Sequence, residues 1–286
     1  MIVDVHTHVG VRLTERDKKF FVGVPGYTDY LRSFTDGMSF EKYWEAMHTV
    51  DKAIIVNGRY DPDQPKSLND EVAKIAETHS EKLIAFCSVM PDEESPAREV
   101  RRCVNELGMR GVKLYPVLQR YPPNHRKYYP IYDVAQEMGV PVVFHMGTHF
   151  FPDCRLEYTK PLLLEEVALD FPNLKILCAH LGHPWVEDCI MLVRKAPNVY
   201  ADISGLMLPG GKRTFSVVYR GLVLAYEYGA LDKILFGSDY PINTPGNCIE
   251  ILKNINHFTK NTDLPKIPDE AIRNILEENW KNIIKI

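Results

Sequence analysis

Eight short apolar runs, rich in β-branched residues and bounded by turn formers, recur at intervals of roughly 30 residues, and an amphipathic stretch follows each. The runs are Ile2 to His6, Ala53 to Asn57, Leu83 to Val89, Gly111 to Tyr115, Val140 to His145, Leu174 to His180, Val199 to Ile203 and Ile234 to Ser238. They are apolar on both faces, the pattern of parallel strands covered by helices. Helical periodicity marks the stretches between them: Phe40 to His48, Leu68 to Thr78, Ser95 to Leu107, Ile131 to Met138, Pro161 to Phe171, Pro184 to Lys195, Phe215 to Tyr228 and Cys248 to Phe258. Eight strand-helix units match a closed (β/α)8 TIM barrel better than an open doubly wound sheet, which usually has fewer strands. With 286 residues, 45% of them hydrophobic, the chain has the length and apolar material for one such domain.

Two segments decorate this frame. Gly10 to Met38 is far longer than an ordinary βα loop of about 2–6 residues and carries Arg12, Arg16, Tyr27, Tyr30 and Arg32, which suit an anionic substrate. Asp269 to Ile284 reads as an extra helix starting near Pro268, expected on the outside of the barrel.

A formal net charge of −4 argues against nucleic acid or anionic lipid as partner and leaves a small molecule. The six cysteines, Cys87, Cys103, Cys154, Cys178, Cys189 and Cys248, form no Cys-x-x-Cys pair and read as buried thiols in a reducing compartment. Met1 leads directly into Ile2-Val3-Asp4, without a signal-peptide pattern, so a cytoplasmic location is expected.

In a barrel of this kind the active site lies at the C-terminal ends of the strands, so polar residues that close apolar runs carry most weight. His6 and His8 close the first run, Lys113 lies in the fourth, His145 closes the fifth, His180 the sixth and Asp239 follows the eighth. One residue apart on a strand, His6 and His8 share a face. Two imidazoles with a third, His145, and the carboxylate of Asp239 make a donor set for a zinc-like ion with an open position. His180 is aimed at the same mouth and suits acid-base or carbonyl-polarising work. His183 either caps the next helix or joins the pocket, with Trp185 as an apolar wall. Phe150, Phe151 and Tyr240 are further candidate walls. Lys113 presents an ammonium to a substrate carboxylate, or is carboxylated and bridges a second ion; the spacing leaves both open.

With its residues in this order the chain resembles the amidohydrolase superfamily, and within it the amidohydrolase-related branch that includes non-oxidative decarboxylases. The resemblance rests on Asp4-Val5-His6-Thr7-His8, Gly111-Val112-Lys113-Leu114-Tyr115-Pro116, Pro141-Val142-Val143-Phe144-His145-Met146-Gly147, Ala179-His180-Leu181-Gly182, Asn198-Val199-Tyr200-Ala201-Asp202-Ile203-Ser204 and Phe236-Gly237-Ser238-Asp239-Tyr240-Pro241. It implies a divalent ion, Zn2+ or else Mn2+, on His6, His8, His145 and Asp239, with His180 as acid-base group. One ion per chain is the expectation, or two with a carboxylated Lys113. It also allows a homodimer. Decarboxylating relatives often carry a glycine pair after the strand-six histidine, where Gly182 is here followed by His183.

The reading preferred from sequence is therefore hydrolysis of a small anionic amide, lactone or ester by metal-activated water. Asp239 acts as ligand and general base, His180 as oxyanion stabiliser, and Lys113 or Arg12 as anchor for an anionic end. Its rival is non-oxidative decarboxylation of an aromatic or enoic acid. A phosphoesterase would need further ligands where runs two and three end in Asn57 and Val89, and a non-catalytic metal-binding barrel would leave His180 without a task.

Overall fold

The structure is a computed structural model and describes residues 1–10, 14, 39–149, 151 and 153–285. Arg12, Arg16, Tyr27, Tyr30, Arg32 and Phe150 lie outside the described residues. Eight parallel strands run in sequence order around one sheet: β1 Val3–Thr7, β2 Lys52–Val56, β3 Leu83–Ser88, β4 Val112–Leu114, β5 Val142–Phe144, β6 Ile176–Cys178, β7 Val199–Asp202 and β8 Ile234–Leu235. The segment after β8 closes the ring on β1: Val5 N–H donates to Phe236 O at 3.0 Å, Asp239 N–H to His6 O at 2.9 Å and His8 N–H to Tyr240 O at 2.9 Å. The expected (β/α)8 barrel is the observed fold.

Helices α1 Phe40–Ala46, α2 Leu68–Thr78, α3 Pro96–Asn105, α4 Tyr129–Met138, α5 Leu163–Asp170, α6 Val186–Lys195, α7 Arg220–Glu227 and α8 Pro245–Lys253 follow the strands in turn. Local chemistry sets their ends. The Ser39 hydroxyl accepts Lys42 N–H before α1, and Thr244 does the same for Asn247 before α8, where Pro245 takes the first turn. Gly139, in the left-handed region, ends α4. In α2, Leu68, Val72, Ala73 and Ala76 form the buried stripe, with Asp70 and Glu71 in the first turn.

Strand side chains divide between two cores. Ala53, Ile55, Ala85, Cys87, Val142 and Phe144 pack outward against the helices. Val5, Ile54, Phe86, Val143, Leu177 and Tyr200 fill the barrel. The C-terminal segment departs from expectation in one respect. α9, Asp269–Glu277, packs on the outside through Ile272, Ile275 and Leu276. The chain then turns beneath the barrel, where Trp280, Ile283 and Ile284 join the inner core. The apolar end of this segment is thus a plug for the end of the barrel away from the polar strand ends. All six cysteines are free thiols, five of them buried. No helix among the described residues is long and apolar enough to cross a membrane.

Candidate active site

The site begins on β1, whose register against β2 is irregular between Asp4 and Thr7. That irregularity lets Val5 stay in the inner core while His6 also faces inward, with its Nε2 3.1 Å from Lys113 Nζ. Asp4 accepts the backbone N–H groups of His6 at 3.1 Å and Ser238 at 3.0 Å, and so ties β1 to the chain after β8. Burial pushes its carboxyl up to about 7.

Hydrogen bonds fix which ring nitrogen of each histidine carries the proton. His8 Nδ1 lies 3.1 Å from Val56 O. A carbonyl only accepts, so Nδ1 is a donor and Nε2 is the nitrogen turned toward the carboxylate side of the site. That Nε2 lies 3.1 Å from Asp239 Oδ1. His6 Nδ1 donates to Asp202 Oδ2 at 3.0 Å, which leaves Nε2 as the open acceptor. His180 Nδ1 donates to Ser204 O at 2.9 Å, so His180 Nε2 accepts from His145 Nδ1 at 3.1 Å. The His145 Nε2 lone pair is then buried with no hydrogen-bond partner.

Three imidazole Nε2 atoms and one carboxylate form the set a divalent ion takes, and the orphaned buried Nε2 of His145 is costly without it. His6, His8 and Asp239 already bring ligand atoms within 4.8 Å of one another. A second grouping, His6, His180 and Asp202, meets the same distance. Its atoms are committed to one another and to Ser204 by hydrogen bonds, so we read it as support for the first. The residues present fit a divalent ion.

Electrostatics agree. Burial alone would raise the Asp239 carboxyl, but the neighbouring His180, His8 and His6 outweigh it and hold the group well below the usual carboxylate range. Burial, reinforced by Lys113, lowers His6 to about 3, and burial holds His145 well below its ordinary value. Both rings are neutral at pH 7, as ligands must be. Lys113 is fully buried and is brought down to about 8 by burial, against the opposing pull of Asp202 and Asp239.

Backbone strain marks the same places. His180 and Asp239 both hold φ at 60°, a conformation that costs a non-glycine residue about 1–2 kcal/mol. Hydrogen bonds offset it: His180 N–H to Asp202 Oδ1 at 3.0 Å and Asp239 N–H to His6 O at 2.9 Å. Gly205, at φ +66°, backs the Asp239 carboxylate so closely that a Cβ there would sit 2.6 Å from Oδ2. Tyr60, Tyr115 and Phe151 cluster beside the mouth. Tyr115 donates to Asn57 O at 3.0 Å, and its ring centroid lies 5.9 Å from that of His145.

The structure thus brings together His6, His8, His145, His180, Lys113 and Asp239. It places other candidates elsewhere. Trp185 lines a groove between the start of α6 and the helical segment 214–227, with Phe215 and Tyr219. Tyr240 turns outward to meet Tyr43 edge-on at 5.7 Å. His183 borders the same groove, and its carbonyl accepts Thr148 Oγ1 at 2.9 Å. Arg12 lies outside the described residues. Sequence reasoning gave no role to Asp202, Ser204 or Gly205, although the first two close the seventh run as His145 closes the fifth.

A family model described as amidohydrolase matches residues 3–279. The chain belongs to the amidohydrolase family. Among curated relatives, this amidohydrolase is 25% identical over 227 residues to 2-amino-3-carboxymuconate-6-semialdehyde decarboxylase of Dictyostelium discoideum, covering 69% of the chain and 63% of that protein. It is 27% identical over 157 residues to 2-keto-4-carboxy-3-hexenedioate hydratase of a Sphingobium species, covering 48% of the chain and 44% of that protein. The match spans less than two thirds of either relative. A solved 2,6-dihydroxybenzoate decarboxylase in complex with 2,6-dihydroxybenzoate superposes with a TM-score of 0.71 at 17% identity, covering 99% and 98% of the two chains. A dihydroxybenzoic acid decarboxylase of Polaromonas sp. JS666, with bound manganese and the inhibitor 2-nitroresorcinol, gives 0.67 at 17% identity over 99% and 96%. At these identities the likeness of the amidohydrolase to solved structures is one of fold.

Proposed function

We propose that this amidohydrolase is a metal-dependent, non-oxidative decarboxylase of a small aromatic or enoic acid. The observation that carries the reading is a buried ammonium beside the donor cluster: Lys113 Nζ, 3.1 Å from His6 Nε2, inside an otherwise apolar strand. Decarboxylation asks for a cation to receive a carboxylate at the reacting centre itself and for a proton to replace carbon dioxide there. Hydrolysis, the reading first drawn from sequence, uses such a cation only to anchor an anionic end away from the scissile bond. The reactions named for the Dictyostelium relative and for the dihydroxybenzoate enzymes support the choice.

His6, His8, His145 and Asp239 would hold a divalent ion, and the manganese-bound Polaromonas enzyme makes Mn2+ as good a candidate as Zn2+. Bound there, the ion supplies Lewis-acid polarisation of the substrate carboxylate and a neighbouring oxygen. The chain's own groups do the rest. The C–C bond to the carboxylate breaks, its electron pair stays on the substrate carbon, and that carbon takes one proton as carbon dioxide leaves. Lys113, brought down to about 8, is an ammonium at pH 7 that gives up its proton readily, and it orients the carboxylate by charge. Asp239, held well below the usual carboxylate range, stays ionised as a ligand, and the one proton the carbon takes comes from Lys113. Tyr60, Tyr115 and Phe151 form an aromatic cluster beside the mouth that suits an aromatic or conjugated acid.

The test loads the metal-free protein with Mn2+ or Zn2+ and offers hydroxylated benzoates and conjugated enoic acids alongside lactones and amides. Carbon dioxide released with a stoichiometric C–H product supports the proposal. Acid release from lactones or amides, with no carbon dioxide from the acids, returns the assignment to hydrolysis.

A further inference from the structure

Asp202 and Ser204, two residues apart where β7 ends, sit at the junction of the histidine network without reaching its mouth. Both are fully buried. Asp202 Oδ1 accepts three donors: His180 N–H at 3.0 Å, Ser204 N–H at 3.0 Å and the Ser204 hydroxyl in a short contact. Its other oxygen, Oδ2, accepts His6 Nδ1–H at 3.0 Å. Since the single hydroxyl proton of Ser204 is committed to Asp202, Ser204 Oγ meets His6 Nδ1 at 3.0 Å and His180 Nδ1 at 2.9 Å as an acceptor. Ser204 O accepts from His180 Nδ1 as well.

We propose that the Asp202 carboxylate and the Ser204 backbone carbonyl act as one positioning pair that sets the ring tautomers of His6 directly and of His145 through His180, so that each offers an unprotonated Nε2 to the ion. The pair holds acceptors against both Nδ1 atoms. The proton on His180 Nδ1 makes His180 Nε2 an acceptor, which pins the His145 proton on Nδ1. His8 stands outside this device, because Val56 O engages its Nδ1 independently. Fixing a ligand ring through its other nitrogen typically alters metal affinity about 10–100-fold. The inference does not depend on which reaction the amidohydrolase runs.

The asymmetry of the Asp202 carboxylate makes the idea testable. In Asp202→Asn the amide oxygen must take the Oδ1 position, where three donors converge, and the NH2 group then faces His6 Nδ1. That nitrogen must become an acceptor, so the His6 proton moves to Nε2. Nitrogen-15 spectra of histidine-labelled, metal-free protein read this directly. In the parent, His6, His145 and His180 should all show the Nδ1–H form; an Nε2–H form at His6 or His145 would overturn the proposal without any variant. In Asp202→Asn, His6 alone should switch, and Mn2+ affinity by titration calorimetry should fall about 10–100-fold. Ser204→Ala keeps the Asp202 bond to His6 and the carbonyl to His180, so both tautomers should persist with affinity within a few-fold of the parent. An Asn variant that folds, keeps His6 in the Nδ1–H form and binds Mn2+ as the parent does would mean the pair is structural only. If that variant does not fold, the parent and Ser204→Ala spectra decide the matter.

Discussion

Adding one carbon at Gly205 isolates how closely the fold must hold Asp239. A Cβ built there lies 2.6 Å from Asp239 Oδ2 and 3.2 Å from His180 Nδ1, and the residue holds φ at +66°. Gly139, at the end of α4, also holds φ at +66° but has nothing within 4 Å of a built Cβ. Alanine at either position therefore costs the same backbone strain, about 1–2 kcal/mol. Only Gly205→Ala must also move a carboxylate, by roughly 0.8 Å to restore ordinary contact at 3.4 Å. Crowding of that kind in a packed site costs about 1–3 kcal/mol more. A ligand displaced by nearly an ångström should also weaken metal binding by at least about tenfold. Urea unfolding of metal-free protein and Mn2+ titration separate the two effects. Gly139→Ala should lose about 1–2 kcal/mol and keep its affinity, whereas Gly205→Ala should lose more stability and most of its affinity. Equal losses in the two variants, with affinity intact in both, would refute the placement of Asp239 against Gly205.

Two further outcomes follow from the buried charges. In metal-free protein, His6, His145 and His183 have folded pKa values below their unfolded ones, so as pH falls below about 6.5 the unfolded chain binds more protons at these rings; Asp4, raised to about 7, binds one more in the folded state. The rings outweigh Asp4, so stability should fall by roughly 1–2 kcal/mol per pH unit as pH drops from about 6.5 toward 4. Urea midpoints that stay flat or rise on acidification would show that the rings are not buried neutral. Lys113→Met replaces a buried cation by an apolar chain of similar length, so stability should hold or rise while turnover falls by at least about 100-fold. Midpoints and kcat measured on the same preparation check both, and a variant that retains kcat would remove Lys113 from the mechanism.

The barrel was legible because each strand is apolar on both faces and each helix on one. The run expected over Leu83 to Val89 is β3, Leu83–Ser88, and the helix expected over Leu68 to Thr78 is α2 with the same bounds. The later strands are shorter than their runs. β8 pairs over only Ile234–Leu235, because Phe236 to Tyr240 bend to close the ring on β1 instead of extending beside β7. The plug made by Trp280, Ile283 and Ile284 was missed for a physical reason: an apolar residue past a helix end reads the same whether it lies on a barrel's flank or beneath it.

In the site, His6, His8, His145, His180, Lys113 and Asp239 were legible as polar residues that interrupt or end apolar strands. What sequence left out was direction. Past the strand, the left-handed turns at His180 and Leu181 decide where the following side chains go, and Trp185 consequently faces a groove with Phe215. Asp202 and Ser204 stood in a motif of the resemblance but were given no role, because their partners are ring nitrogens and backbone groups contributed by β1 and the end of β6, neighbours that only the folded barrel supplies.

The donor set alone does not choose between hydrolysis and decarboxylation, since three neutral imidazoles and an ionised carboxylate serve either. The counter-charge of Lys113 is what favours the proposed decarboxylation. An ammonium inside a barrel must be compensated, and among the described residues its neighbouring carboxylates are Asp202 and Asp239. Asp202 is spent on four hydrogen bonds to His6, His180 and Ser204. Asp239 is engaged with His8 at 3.1 Å and, on our reading, with the ion. Lys113 therefore remains short of negative charge from the chain itself, which is why burial can draw it down to about 8. A substrate that brings a carboxylate to the reacting centre supplies what is missing and strengthens the ammonium as it binds. As carbon dioxide leaves, that negative charge passes to the substrate carbon, and the stabilised proton has a destination. An anionic lactone or amide would also pair with the lysine, but its charge would stay away from the scissile carbonyl and the ammonium would keep its proton throughout.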